Sequence, residues 1–246
     1  MDNYFIRADW PAPAHISAMT TCRSHGHSDA PYNSWNLADH VSDEKQHVEQ
    51  NRALLKQRLK LPDEPAWLQQ VHGDRVISIQ DTPLPDNEAD GSYTQRINTI
   101  CCVMTADCLP VLITNREGTE VAAVHAGWRG LAAGVVESAL EKFTSPRQEI
   151  LVWLGPAIGP TVFEVGEEVR AAFLEHDPGA EQAFRPEKSN KLLADIYQLA
   201  RQRLHMAGIS SVFGGQYCTY TDEERFFSFR RNPITGRMAS LIWIHD

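Results

Sequence analysis

The sequence predicts an α+β fold: one domain of mixed β-sheets with flanking helices. Three observations carry this. Apolar runs of strand length cluster in the middle and at the end of the chain. They do not alternate regularly with helical patterns, so a doubly wound parallel sheet is disfavoured. No internal repeat, low-complexity tract or Pro/Gly/Ser linker divides the 246 residues, 42% of them hydrophobic, so residues 1–246 read as a single domain with a substantial core.

His15 to Thr21 reads as the first strand. Residues 23–40 are rich in Ser, Gly, Asn, Asp and Pro and read as a long irregular loop, a type of segment that often serves function. Ser42-Asp43-Glu44 opens a helical pattern to Leu59, with Val48, Leu54, Leu55 and Leu59 near one face. Ala66 to Val71 and Val76 to Ile79 read as strands around a His72-Gly73-Asp74 turn. Asn98 to Thr105, Val111 to Thr114 and Val121 to Val124 follow as strands, the last two joined as a hairpin by Asn115-Arg116-Glu117-Gly118. Leu131 to Phe143 is predicted helical, Ile150 to Leu154 a strand, and Gly155 to Pro160 a loop. Gly166 to Phe173 and Leu192 to Met206 are predicted helices; Val212-Phe213, Phe226 to Phe229 and Ala239 to Ile244 are predicted strands.

Charge narrows the function classes. With 23 basic against 32 acidic residues the formal net charge is −9, and no Lys/Arg run stands out. The footprint of a nucleic-acid binder is missing, and an anionic membrane is disfavoured. No apolar run is long enough to span a bilayer and no signal segment opens the chain, so a cytoplasmic protein is expected. The five cysteines are an odd number, and Cys101-Cys102 could not bridge without strain. Cys22, Cys101 and Cys102 read as small buried hydrophobes. Cys218 lies in a polar loop-like stretch, near a site or purely structural.

The chemistry centres on His72, Cys108 and His125, each in a distinctive frame: Gln69-Gln70-Val71-His72-Gly73, Thr105-Ala106-Asp107-Cys108-Leu109-Pro110 and Ala123-Val124-His125-Ala126-Gly127-Trp128-Arg129-Gly130. Two imidazoles and a thiolate can hold zinc with the fourth position open, and such a zinc activates water near neutral pH. Each residue taken alone reads equally as a rim or core side chain. Asp107 could orient a ligand histidine or cap its turn; Asp90, in Glu88-Ala89-Asp90-Gly91, has the same two readings, with the turn favoured. Gly127-Trp128-Arg129-Gly130, entering a helix, could admit a phosphate or substrate oxygen beside His125, with Arg129 adding donors; or its glycines simply permit a tight turn. Asn36, His40, Asn51 and Arg52 form a polar set near the long loop, with His40 a candidate acid/base. Glu164 follows an apolar stretch and reads either as a buried carboxylate with a raised pKa or as a helix cap. Dinucleotide, phosphate-loop and serine-elbow motifs are absent, as is the His-x-Glu and Pro-Cys-x-x-Cys pattern of zinc nucleobase deaminases. Ser24-His25-Gly26-His27 holds one His-x-His pair among turn residues.

These three frames resemble the YfiH-like family, once called the multicopper polyphenol oxidoreductase or laccase domain. Tyr32-Asn33-Ser34-Trp35-Asn36-Leu37-Ala38-Asp39-His40-Val41, Glu49-Gln50-Asn51-Arg52 and Trp153-Leu154-Gly155-Pro156-Ala157-Ile158-Gly159-Pro160 extend the resemblance. So do Cys218-Thr219, Phe227-Ser228-Phe229-Arg230-Arg231 and Gly236-Arg237-Met238-Ala239, so that it covers nearly the whole chain. It implies an α+β fold similar to that of deamidating bacterial toxins, and zinc held by His72, Cys108 and His125. It implies phosphorolysis of adenosine, inosine, guanosine and methylthioadenosine, with hydrolytic deamination of adenosine. The expected partners are thus purine nucleosides and phosphate, and the expected assembly a monomer or small homo-oligomer. Related proteins also carry a peptidoglycan-editing label. In that scheme Arg52 or Arg129 holds phosphate, Asn36 joins the substrate set, and His40, Asp107 and Glu164 are the acid/base candidates. His25-Gly26-His27 departs from the family's usual Gly-Gly pair and leaves the three ligands intact.

Laccase chemistry fits poorly, because a multicopper oxidase needs about ten histidines largely in His-x-His pairs, whereas this chain has ten in all and one such pair. Copper can still occupy the His/Cys/His ligands. Two other classes stand beside the zinc enzyme. One is a cysteine hydrolase or amidase with Cys108 as nucleophile and His125 or His72 as base, which would suit peptidoglycan-precursor editing. The other is a structural zinc domain, which would need a fourth protein ligand such as Cys218 or His40.

Overall fold

The computed structural model describes residues 4–80, 84 and 86–246. Its elements run β1 (Phe5–Arg7), β2 (Ile16–Thr21), α1 (Lys45–Leu59), β3 (Val76–Ser78), β4 (Gly91–Thr94), β5 (Cys101–Thr105), β6 (Leu109–Asn115) and β7 (Val121–Ala126). Then come α2 (Trp128–Ala133), α3 (Val135–Leu140), β8 (Ile150–Leu154), β9 (Glu164–Val165), α4 (Glu167–Leu174) and β10 (Phe184–Pro186). β11 (Leu192–Ala194), α5 (Ile196–Met206), β12 (Ser211–Gly214) and β13 (Met238–Ile244) complete the order.

A four-stranded antiparallel sheet in the order β1-β2-β13-β5 lies against a six-stranded sheet in the order β12-β8-β6-β7-β4-β3. The second sheet is mixed: β12 runs parallel to β8 and β3 to β4, with antiparallel pairs between. Side chains alternate with the pleat. Ile16, Ala18, Cys101, Val103, Ile242 and Ile244 of the first sheet meet Leu112, Val121, Ala123 and Trp153 of the second. The opposite face of the first sheet, through Met19, Cys102, Leu241 and Trp243, packs on Trp35, Leu37 and Leu55 of α1. The opposite face of the second, through Val111, Ile113, Val124 and Val152, packs on α2, α3, α4 and α5. Because both sheets are covered on both faces, the central strands read as continuous apolar runs, as the sequence showed. The same alternation sends Cys101 and Cys102 to opposite faces, where burial pushes both thiols up, Cys101 to about 12. They and Cys22 are buried, and none of the three is in a disulfide. Among the described residues no helix is long and apolar enough to cross a membrane.

The predicted α+β class with mixed sheets holds, and four local expectations are corrected. Ala66 to Val71 is not a strand: it makes single bridges at Ala66 and Gln69. Gln70 substitutes its side-chain amide for a ladder, giving Nε2 to Met104 O at 2.8 Å and taking Met104 N at 2.7 Å. The helix predicted over Leu131 to Phe143 is two helices, broken at Gly134, whose φ of +104° suits glycine. The helix predicted from Leu192 begins only at Ile196; Leu192–Ala194 is β11, centre of a small sheet with β10 and β9, and Asp195 caps α5 by accepting from Gln198 N at 3.0 Å. Phe226 to Phe229 is irregular: Phe226 and Phe227 are apolar because they are buried, not because they pair. The sequence reading also passed over β1 and over β4, whose Ser92 and Thr94 are polar yet buried.

Glu120, buried immediately before β7, gathers the rim of the second sheet. It accepts from Tyr93 OH at 2.7 Å, Thr144 N at 2.8 Å, Ser145 N at 3.1 Å and the Ser145 hydroxyl. Burial pushes its carboxyl up, but these hydrogen bonds outweigh burial and hold it at about 2. A group held lower in the folded state stabilises fully above its unfolded value and loses that contribution as pH falls towards its folded value. Glu120→Gln is expected to cost about 2 kcal/mol near neutral pH by stranding buried donors. It should also flatten the loss of stability between about pH 5 and pH 3, read by urea unfolding across that range.

Candidate metal centre

Cys108 lies where the chain steps from β5 in one sheet to β6 in the other. Asp107 makes that step with a φ of +95°. Its carboxylate is tied by Thr219 Oγ1 at 2.6 Å, Ser228 Oγ at 3.0 Å and Arg230 N at 2.7 Å. Asp107 therefore does not orient a ligand histidine. It clamps the irregular segment after β12 beside the cysteine.

His125 is the fifth residue of β7, opposite Pro110. His72 stands in the loop before β3 with a φ of +62°. The His72 and His125 rings meet edge to face with centroids 4.7 Å apart, and His72 Nε2 is 3.9 Å from Cys108 Sγ. One nitrogen from each histidine and the sulfur all lie within 4.8 Å of one another, and among the described residues no other such cluster forms.

Asp90 holds the two histidines in place. Its carboxylate, fully buried, accepts from His125 Nδ1 at 2.7 Å, His72 N at 2.9 Å, Gly73 N at 2.7 Å and Val71 N at 3.2 Å. Its own carbonyl takes His125 N at 2.7 Å. Burial pushes the Asp90 carboxyl up, and the His125 and backbone donors bring it below the usual range. With Nδ1 engaged, His125 presents Nε2 to the cluster. Of the two readings the sequence left for Asp90, the geometry favours the ligand-orienting one over a mere turn.

Without a metal, Cys108 and His125 form a thiolate–imidazolium pair, and a bound metal would take the place of the His125 proton. Burial opposes charge on both Cys108 and His125, but each favours the other's ionised form, so the thiol is drawn down and the imidazole raised. A thiolate and two imidazoles are the donor set of zinc or copper. Gly127 leaves room for it. A Cβ there would come 3.0 Å from His72 Cδ2, 3.2 Å from Cys108 Sγ and 3.6 Å from His125 Nε2. A Cβ at Gly130 would meet Gly73 O at 2.5 Å. These glycines thus serve close approach of β7 and α2 to the ligands.

The cluster opens into a cavity of about 420 Å³. Its walls are apolar at Met104, Trp128, Ile158, Phe163 and Phe229 and cationic at Arg129, Arg230 and Arg237. His40 and Gln70 line it too, and with Met104 they border a second recess that contains Arg52, Asp39 and Trp67. Burial, and then Arg237, lower the His40 pKa, so the ring is neutral near pH 7.

The sequence candidates separate accordingly. His72, Cys108, His125, His40, Asp107 and Arg129 line the one cavity. Arg52 lies in the adjoining recess, with Nε on Leu37 O at 3.0 Å and its guanidinium 4.2 Å over Trp67. Asn36 is fully buried outside the cavity, bonded to Ala38 N, Ala38 O, Asp43 and Arg237 N. Glu164 is not the buried carboxylate expected: as part of the short strand β9 it is exposed, beside an adjacent hollow, while Val165 points inward. Cys218 accepts from Gly159 N at 3.2 Å and stands apart from the ligand cluster, as does His40. His25 and His27 do not join it either; His25 stacks on Tyr4 at 4.4 Å. Gly26 between them has no space for a side chain, since a Cβ would lie 2.4 Å from Ser34 O. Missed from sequence were Arg237, Gln70 and Phe229 in the walls, while for Asp90 the turn was favoured over the orienting role.

A sequence profile described as multi-copper polyphenol oxidoreductase laccase matches residues 17–245. The chain is 54% identical over 239 residues to a Shigella flexneri protein named purine nucleoside phosphorylase YfiH, covering 97% of this chain and 98% of that one. It is 49% identical over 245 residues to a Pseudomonas aeruginosa protein with the same activity in its name, covering 99% and 100%. A solved Neisseria meningitidis structure of the DUF152 family matches with a TM-score of 0.95 at 44% identity, covering 99% of this chain and 100% of that one.

Proposed function

This chain belongs to the YfiH family, described as multi-copper polyphenol oxidoreductase laccase, and its relatives are named as phosphorylases; we propose that it is a metal-dependent purine nucleoside phosphorylase that also deaminates adenosine. The proposed substrates are adenosine, inosine, guanosine and methylthioadenosine with phosphate, and the proposed metal is zinc, with copper able to use the same ligands. One observation carries the reading. The His72, Cys108 and His125 cluster faces a cavity with aromatic walls for a purine and arginines for an anion.

Zinc, when bound by these three residues, supplies Lewis acidity. The chain's residues supply the rest. Phe229, exposed beside the cavity, and Trp128 and Phe163 offer faces for the base. In phosphorolysis a phosphate oxygen bonds to ribose C1′ as the C1′–N9 bond breaks. The electron pair leaves with the purine, which takes the proton that dihydrogen phosphate brings, and ribose 1-phosphate remains. In deamination water adds at C6, and one of its protons leaves with the amino group as ammonia. Neutral His40 is the group suited to accept a proton, and Asp107 acts by holding Ser228 and Arg230 against the cavity. Three-copper oxidase chemistry is disfavoured by the ligands themselves: among the described residues there is one three-residue cluster.

A second reading has an observation of its own. Cys108, His125 and Asp90 stand in the order nucleophile, base, orienter, so the metal-free protein has the makings of a cysteine hydrolase. The test is incubation with adenosine, with and without phosphate. The phosphorylase reading expects inosine in both and adenine only with phosphate; a protein inert on every purine nucleoside but active on amides would replace it with the hydrolase.

A further inference from the structure

Arg129, Arg230 and Arg237 line one cavity in a chain of net charge −9. Among the described residues, none of the three has a carboxylate within ion-pair distance. Arg129 lies 4.3 Å over Trp128. Arg230 gives Nη1 to Glu164 O at 2.9 Å and lies over Phe163. The carboxylate in the same wall, Asp107, is already bound by two hydroxyls and a backbone N–H.

Arg237 is the most constrained of them. It is half-buried at the foot of β13, where its backbone N–H is gripped by the buried Asn36 Oδ1 at 3.0 Å. Its Nη1 donates to Thr235 O at 2.8 Å and Gly236 O at 3.1 Å. That fixes the guanidinium by one nitrogen, and among the described residues Nε and Nη2 have no hydrogen-bond partner. Holding a cation away from water is costly unless an opposite charge meets it. A planar fork of donors matches two oxygens of a tetrahedral oxyanion.

We infer that Arg237 is the principal phosphate-binding residue, assisted by Arg129, and that Asn36 is a positioning residue that fixes Arg237's backbone. The assignment rests on the phosphorylase reading for phosphate as co-substrate. It moves the phosphate away from Arg52, which already has a carboxylate counterion, Asp39 at 3.5 Å, in the neighbouring recess.

The test compares zinc-loaded wild type with Arg237→Gln, Arg237→Lys and Arg129→Gln. Arg237→Gln is expected to raise the KM for phosphate by about tenfold or more, with the KM for inosine within about twofold. Zinc per chain should be unchanged. Arg237→Lys, which keeps the charge and loses the fork, should fall between. Arg129→Gln, at an exposed position that folding does not depend on, should raise the phosphate KM by about threefold. An unchanged phosphate KM in the Arg237 variants, or a rise confined to inosine, would overturn the assignment and leave the phosphorylase reading standing. If wild type cleaves no nucleoside, binding of radiolabelled inorganic phosphate to the zinc-loaded protein decides separately. Binding lost in Arg237→Gln supports the site; no binding by wild type overturns it.

Discussion

Cys108→Ala is expected to empty the metal centre and to lower kcat/KM on inosine by about three orders of magnitude or more. The thiolate is the one anionic ligand among the three, and two imidazoles remain without it. Cys108→Ser should retain little metal, since a hydroxyl does not ionise as a thiol does. The fold should survive both changes, because the sulfur faces the cavity and the core is built elsewhere, by Trp153, Leu112, Ile242 and their neighbours. Metal per chain and turnover, measured on one preparation with thermal unfolding as control, check this. Full metal content with lost activity would instead mark Cys108 as a nucleophile and favour the hydrolase.

Asp90→Asn should have the second largest effect, and on two quantities at once. The carboxylate accepts from four donors, His125 Nδ1 and the amides of Val71, His72 and Gly73. An asparagine has one acceptor oxygen, and its amide group would face N–H donors. One result is a loss of stability of about 3 kcal/mol from buried donors left unpaired. The other is a loss of metal affinity of about ten- to a hundredfold, because His125 is no longer held with Nε2 towards the cluster. Urea unfolding of the metal-free protein isolates the first, and competition with a chelator measures the second. A variant that loses stability but binds metal as tightly as wild type would show that Asp90 serves the fold alone.

The ligands were legible because each sits in a long, ordered frame. Asp90 was not, since Asp-Gly is ordinary turn chemistry and its tie to His125 spans 35 residues. Only the pairing of β4 with β7, which the sequence reading passed over with β4 itself, brings the two together. The same cause hid Arg237, whose neighbours come from residues 36, 107 and 108 across the fold. Strands covered on both faces read correctly from apolar runs; segments buried without pairing, such as Phe226-Phe227, read as strands by the same rule and were not. Helix limits failed where one residue decides them, Gly134 in its left-handed conformation and Asp195 as a cap. Glu164 looked buried because the residues around it are apolar, yet alternation along β9 turns its side chain outward.

The proposed function stands on an open metal centre made by His72, Cys108 and His125. X-ray absorption at the metal edge of the purified protein tests it most directly. About one zinc per chain is expected, with one sulfur at about 2.3 Å and the remaining scatterers nitrogen or oxygen at about 2.0 Å, and loss of the sulfur signal in Cys108→Ala. Two sulfurs in the shell, or a protein that takes up no stoichiometric metal when zinc or copper is supplied, would contradict it.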